Sequence, residues 1–152
     1  MAFKKGDIDG SVKFFDEAIN LETDNAKKAD NAYKAASVLA SAKKLSQARS
    51  YAQKAISFNE NFGAPYILIA QLYAGNYKWN DEPALNKCTF FAAIDKLQRA
   101  KAVDPSVAEE ANKLISSYSA YTPEAKDLFM LGYKAGDRIT IGGWIGETTT
   151  IR

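Results

Sequence analysis

The chain has no histidine and one cysteine, Cys88, among its 152 residues. The side chain best suited to proton transfer near neutral pH and to zinc ligation is therefore absent. Cys88 has no second thiol for an internal disulfide and no imidazole for a thiol dyad, and a free thiol is compatible with either redox compartment. No apolar run approaches the ~18 residues that a membrane span needs. The opening segment, Met1-Ala2-Phe3-Lys4-Lys5-Gly6-Asp7, has no apolar core of a secretory signal. Neither sign of charge dominates: 20 Lys and Arg face 18 Asp and Glu, a net +2, with both signs mixed along the chain. That balance argues against a nucleic acid or an acidic lipid surface as partner. The neighbouring carboxylates Asp16-Glu17 and Glu109-Glu110 point to different parts of a helix surface and fit solvated faces better than an acid–base pair. Gly6 and Gly142-Gly143 match no phosphate loop. The expectation is a protein that is not an enzyme and holds no metal and no cofactor.

What the chain does have is a recurring pair of helical patterns, and at 47% hydrophobic residues it is long enough to build one domain from them. Small residues fall at Ala48, Ala52 and Ala55, followed by Tyr66, Ile69, Ala70 and Tyr73. An echo carries Ala93, Leu97, Ala100 and Pro105, then Ala111, Leu114, Ile115 and Tyr118. Alanine on the facing sides of two antiparallel helices lets the backbones approach, and the large residue beside it fills the remaining space.

These residues resemble the tetratricopeptide repeat, a helix pair of about 34 residues. Ala18, Ala55 and Ala100 take equivalent places in successive second helices, and their intervals of 37 and 45 residues equal one period plus about three and about eleven inserted residues. The resemblance implies an all-α fold, an α–α superhelix of antiparallel helix pairs, with a short C-terminal β-hairpin read from the tail. The expected organisation is a helical repeat domain over 1–136 and a hairpin tail over 137–152. Within the first lie a partial repeat (1–25), a repeat (26–61), a repeat with an insertion (62–106) and a capping helix pair (107–136). Gly6 to Ser11 looks like the family's inter-helix turn, so the first helix of that repeat is cut to a stub. Either the chain is excised from a longer bacterial protein or another molecule covers the face left open. The expected compartment is the bacterial cytoplasm, or the periplasm if an upstream signal was removed.

Local signals place the elements. Ala32, Ala35, Ala36 and Leu39 mark a buried stripe on a helix from about Ala26 to Lys43. Ser46 reads as the N-cap of the next, and Pro65 as the first turn of the one after. A helix is expected over about Asn86 to Val103; then Asp104-Pro105 and Thr122-Pro123 read as helix starts, and Gly136 as the C′ residue that ends the last helix. That last helix has Asp127 and Lys134 where the family has small residues, so it reads as a cap. The tail turns to β-branched residues, Arg138 to Ile141 and Thr148 to Ile151, with a turn expected near Ile145 to Glu147. Such a hairpin is marginal alone. It must pack Ile139, Ile141 or Trp144 on the helices and seal the array, or offer its edge to a partner strand.

The function implied by the resemblance is a protein–protein interaction scaffold whose concave face, lined by the first helix of each pair, binds a protein or peptide. The family register puts Tyr33, Lys34 and Ser37, then Ile67, Leu68 and Gln71, then Asn112, Lys113 and Ser116 on that face. The family's clamp for a terminal carboxylate converges several basic and amide groups. Here Lys34 and the Asn112/Lys113 pair are separated by apolar Ile67 and Leu68, which suits a mixed groove for an extended segment or a helix. The same face could instead be solvated or covered by the tail. In the Gly75–Lys87 insertion, Trp79 with Tyr77 either folds back on the helix ends or anchors a partner. The alternative to a scaffold is a self-associating module, a homodimer stacked through the incomplete first repeat.

Overall fold

Alanines set where the helices touch. Ala32, Ala35 and Ala36 on one helix, Ala48, Ala52 and Ala55 on the next, and Ala70, Ala93, Ala100 and Ala111 further on are all fully shielded from solvent. A side chain of one carbon at a crossing allows close backbone approach, and Leu39, Ile69, Tyr73 and Leu97 fill the space alongside, each buried to 2% exposure or less. The structure, a computed structural model, describes residues 7–152 and is mostly helical with one small sheet. Its elements are α1 (Ile8–Leu21), α2 (Asn25–Ser41), α3 (Leu45–Phe58), α4 (Ala64–Gly75), α5 (Pro83–Lys87), α6 (Thr89–Val103), α7 (Ala108–Ser119), α8 (Ala125–Met130), β1 (Arg138–Thr140) and β2 (Thr148–Thr150). Helix α2 packs on α1 and most extensively on α3, while α6 joins α4 to α7. Helix α2 also meets α4, and α4 and α7 border one cavity, so α2, α4 and α7 form one layer; in the second, α1 packs on α2, α3 on α2 and α4, and α6 on α4 and α7.

The helix starts follow from the residues before them. Asp7 Oδ1 accepts from the amide of Gly10 at 3.0 Å and Asp24 Oδ1 from that of Ala26 at 3.2 Å, so α1 and α2 open on side-chain caps. Asp104 does more. It accepts from Ser106 N at 3.1 Å, capping the 3₁₀ turn Pro105–Val107 that leads into α7, and from Gly63 N at 2.9 Å, which ties that turn to the start of α4. Those hydrogen bonds, with that of the Ser106 hydroxyl foremost, hold the Asp104 carboxyl below the usual carboxylate range. A Cβ on Gly63 would sit 2.5 Å from Val107 Cγ2, so the start of α4 and the 3₁₀ turn before α7 meet too closely there for any larger residue.

Several elements differ from the sequence expectation. The stub before the first helix falls outside the described residues, and Ile8, Asp9 and Gly10 belong to α1 rather than to a turn. Ser46 lies inside α3, which starts one residue earlier behind Lys44 without a side-chain cap; Lys43, at φ 60°, turns the chain there instead. The helix expected from Asn86 begins already at Pro83 and is interrupted at Cys88. The last helix opens at Ala125 behind Glu124, which supplies no side-chain cap, so Thr122 and Pro123 lie outside it rather than starting it; it ends at Met130. Gly132, at φ 92°, is its C′ residue: the Gly132 amide donates to Phe129 O at 3.0 Å and the Tyr133 amide to Leu128 O at 2.9 Å, the two bonds of a Schellman closure. Gly136 (φ 95°) serves the entry to β1 instead. Helix α8 packs on α5 and leaves Phe129 74% and Met130 84% exposed.

The tail is part of the core. Strands β1 and β2 pair antiparallel with Ile139 opposite Thr149, and Ile139, Ile141, Ile145 and Ile151 join the same apolar cluster as Tyr73 and Leu97. The connection is wider than the turn expected near Ile145–Glu147; it spans residues 141–147, with Gly143 and Gly146 both at positive φ. Arg49 of α3 holds it. Its guanidinium donates to Ile145 O at 2.6 Å, to Trp144 O at 2.9 Å and to the Tyr73 hydroxyl at 3.1 Å, and lies 5.1 Å from the Trp144 ring. Along α6, Lys96 pairs with Glu147 at 2.6 Å, and Asp95 accepts from Thr149 Oγ1 at 2.6 Å and pairs with Arg152.

Two outcomes follow from these contacts. Arg49→Ala leaves the Trp144 and Ile145 carbonyls and the Tyr73 hydroxyl without that donor, and urea unfolding followed by circular dichroism should show a loss of about 2–3 kcal/mol; a loss within ~0.5 kcal/mol would mean the tail is held by its isoleucines alone. Between α1 and α3, the Tyr51 hydroxyl donates to both Asp16 oxygens at 2.8 Å. Burial, and then that carboxylate, raise its pKa to about 12. A phenol whose folded pKa is raised stabilises fully below its unfolded pKa of ~10. The stability gap between wild type and Tyr51→Phe should therefore be constant below pH 10 and close as pH rises toward 12; a gap unchanged across that window would remove Tyr51 from the linkage.

Candidate functional site

An aromatic pocket opens where α4 ends, α6 begins and α7 ends. Its geometry starts from the 76–82 connection, which the buried amide of Asn86 folds back: Asn86 Oδ1 accepts from the Trp79 and Asn80 amides at 2.8 and 2.7 Å, and its Nδ2 donates to Asn80 O at 2.7 Å. One residue into α6 the buried Thr89 hydroxyl donates to Tyr77 O at 2.9 Å, which brings the Tyr77 ring 5.1 Å from that of Phe90. From the other side, Tyr118 at the end of α7 lies 5.8 Å from Phe90, and Tyr121, just past that helix, stacks on it at 5.5 Å and 28°. The α4 wall is made of Gln71, Ala74 and Gly75, whose small residues leave a cavity of about 440 Å³. Phe90 forms its buried floor, and Tyr121 is 57% exposed at the mouth.

The pocket's polar groups lie around an apolar interior. The side chains of Gln71 and Lys87 and the hydroxyls of Tyr77, Tyr118 and Tyr121 make no hydrogen bond or ion pair with the rest of the described residues, and no carboxylate lines the cavity. Burial pushes the Tyr118 phenol above its ordinary pKa, so it is a neutral donor at physiological pH. Cys88 is fully buried two residues before Phe90, and burial pushes its thiol up to about 11, which leaves it protonated and unreactive near neutral pH.

Neither a protein-family model nor a curated protein matches this chain. The site therefore rests on its own geometry.

The structure divides the residues expected on the binding face. Ile67 is buried in the main core at 4% exposure, and Tyr33 turns inward, edge to face with Phe62 at 5.4 Å. The Ser37 hydroxyl donates to Tyr33 O at 3.0 Å within α2. Leu68 is half-buried against the core. Lys34 and Ser116 are exposed, Asn112 accepts from Lys101 at 2.8 Å, and Lys113 pairs with Glu109 at 3.6 Å. Of these nine only Gln71 lines the pocket. Trp79 is half-buried beneath the tail: a Cβ on Gly142 would meet its ring at 2.7 Å, so glycine is what lets the tail cross the indole. Tyr77, named with it, reaches the pocket instead. Sequence reasoning missed Phe90, Tyr121 and the site role of Tyr118. Tyr118 carries a repeat position and Phe90 sits in an apolar run, so each reads as core; only the fold brings them together.

Proposed function

We propose that the chain is a non-catalytic protein–protein interaction scaffold of the tetratricopeptide type, which binds a peptide or partner protein through its α2–α4–α7 layer. The observation that carries this reading is the aromatic pocket at the junction of α4, α6 and α7. It is an open cavity of about 440 Å³ with unpaired polar groups set around an apolar floor, the form of a site in which one side chain anchors a longer segment. The exposed Gln71, Lys34, Asn112 and Ser116 on the same layer supply a polar surface for the rest of such a segment.

Selection of a phage-displayed random peptide library on the full chain tests this. Peptides of related sequence should be enriched, and their affinity should fall about tenfold when Tyr121→Ala removes the exposed ring at the mouth. No enrichment, or enriched peptides that bind Tyr121→Ala and Gln71→Glu as well as wild type, would overturn the reading. Self-association is the second reading, favoured by the apolar surface that Phe129 and Met130 leave exposed on α8. A mass by sedimentation that rises with concentration in the absence of peptide, and returns to that of a monomer in Phe129→Ser, would favour it.

A further inference from the structure

We infer that the aromatic pocket takes an aromatic side chain of a partner polypeptide that carries a carboxylate beside it. The inference rests on the interaction-scaffold reading and specifies the ligand of the same site. Three tyrosine rings stand around Phe90 at 5.1–5.8 Å with different tilts, 41°, 57° and 28°. A further ring finds both faces and edges there, the arrangement in which aromatic pairs gain beyond area burial. The cavity is about 440 Å³, at the small end of the ~300–1,000 Å³ of ligand pockets, and suits one large side chain with its flanking backbone.

Charge selects between two occupants that aromatic clusters hold. Rings around a cavity also bind ammonium groups, which need a negative face and, commonly, a nearby carboxylate. Here the one ionised group on the lining is the Lys87 ammonium, which repels a cation. Glu82 and Asp127 line a separate depression on the other side of Lys87, and neither forms an ion pair with it. Lys87 is exposed and unpaired among the described residues, so it meets an incoming carboxylate without breaking an existing contact. The Gln71 amide and the Tyr118 and Tyr121 hydroxyls, also unpartnered, are available to the backbone and to that carboxylate.

The test uses synthetic peptides on one glycine–serine framework, bearing Phe-Asp, Ala-Asp, Phe-Lys or Phe-trimethyllysine at its centre, titrated into the full chain by calorimetry. The Phe-Asp peptide should bind about tenfold tighter than either the Ala-Asp or the Phe-Lys peptide. Lys87→Glu should reverse the preference between Asp and Lys, and Tyr121→Ala should erase the preference for Phe over Ala. Both side chains are exposed, and circular dichroism checks that both variants fold. Equal binding of the Phe and Ala peptides overturns the inference, as does preference for trimethyllysine. So does binding of N-acetylphenylalanine as tight as that of the peptide, which would mark a small-molecule site. If any of those outcomes comes with Tyr121-dependent peptides from the library, the scaffold reading stands and only the ligand class falls. If neither experiment yields a bound peptide, both fall.

Discussion

Close approach of helix backbones at shielded alanines is the constraint from which the rest of this structure follows. The ten alanines at the crossings are the hinge of two layers, and each has no exposed surface to give up. A larger residue at such a point must push the helices apart, because a core at native density has no room for added methylenes. Separation would be felt at the pocket. Its α4 wall ends in Ala74 and Gly75 and its floor is Phe90 on α6, so a shift between those two helices moves a wall of the cavity against its floor. The site is thus built from the packing rather than added to it.

A two-stranded ribbon has too little buried surface to persist alone, and here helices supply what it lacks. Four isoleucines of the tail enter the main core, and a network of Arg49, Tyr73, Glu147 and Lys96 fixes the connection between the strands. Tyr73 is the meeting point: its ring is fully buried, and its hydroxyl, held by Arg49 and facing Glu147, has its pKa raised above the ordinary phenol range first by burial and then by that carboxylate. The tail also lies on Trp79, so it braces the connection that carries Tyr77 into the pocket. One contact surface links the end of the chain to the candidate site.

Alternation of small and large residues at helical spacing is a local property, and it made the helices α2, α3, α4, α6 and α7 legible with their alanines. Asp104-Pro105 and Pro65 were legible for the same reason, since a cap and a proline act within one turn. What depended on distant partners was not. Gly132 and Gly136 both suit a helix end, and the choice fell to the amide of Tyr133 reaching Leu128 O. The connection between the strands is set by Arg49, which lies in another element entirely. Assigning groove residues by repeat register brought Gln71 to the site, but placed Ile67 and Tyr33 on a surface from which packing withdraws them. Register fixes a position along a helix; which way the side chain faces is decided by the neighbour, such as Phe62 for Tyr33.

Native-state amide hydrogen exchange tests the central claim, that helices and tail form one cooperative body. The amides of Ile141 and Ile151 donate to Glu147 O and Asp137 O at 2.8 Å. They should open with the same free energy as the core amides of α4 and α6. Tail amides that exchange at the rate of an unprotected loop while α4 and α6 remain protected would contradict the account.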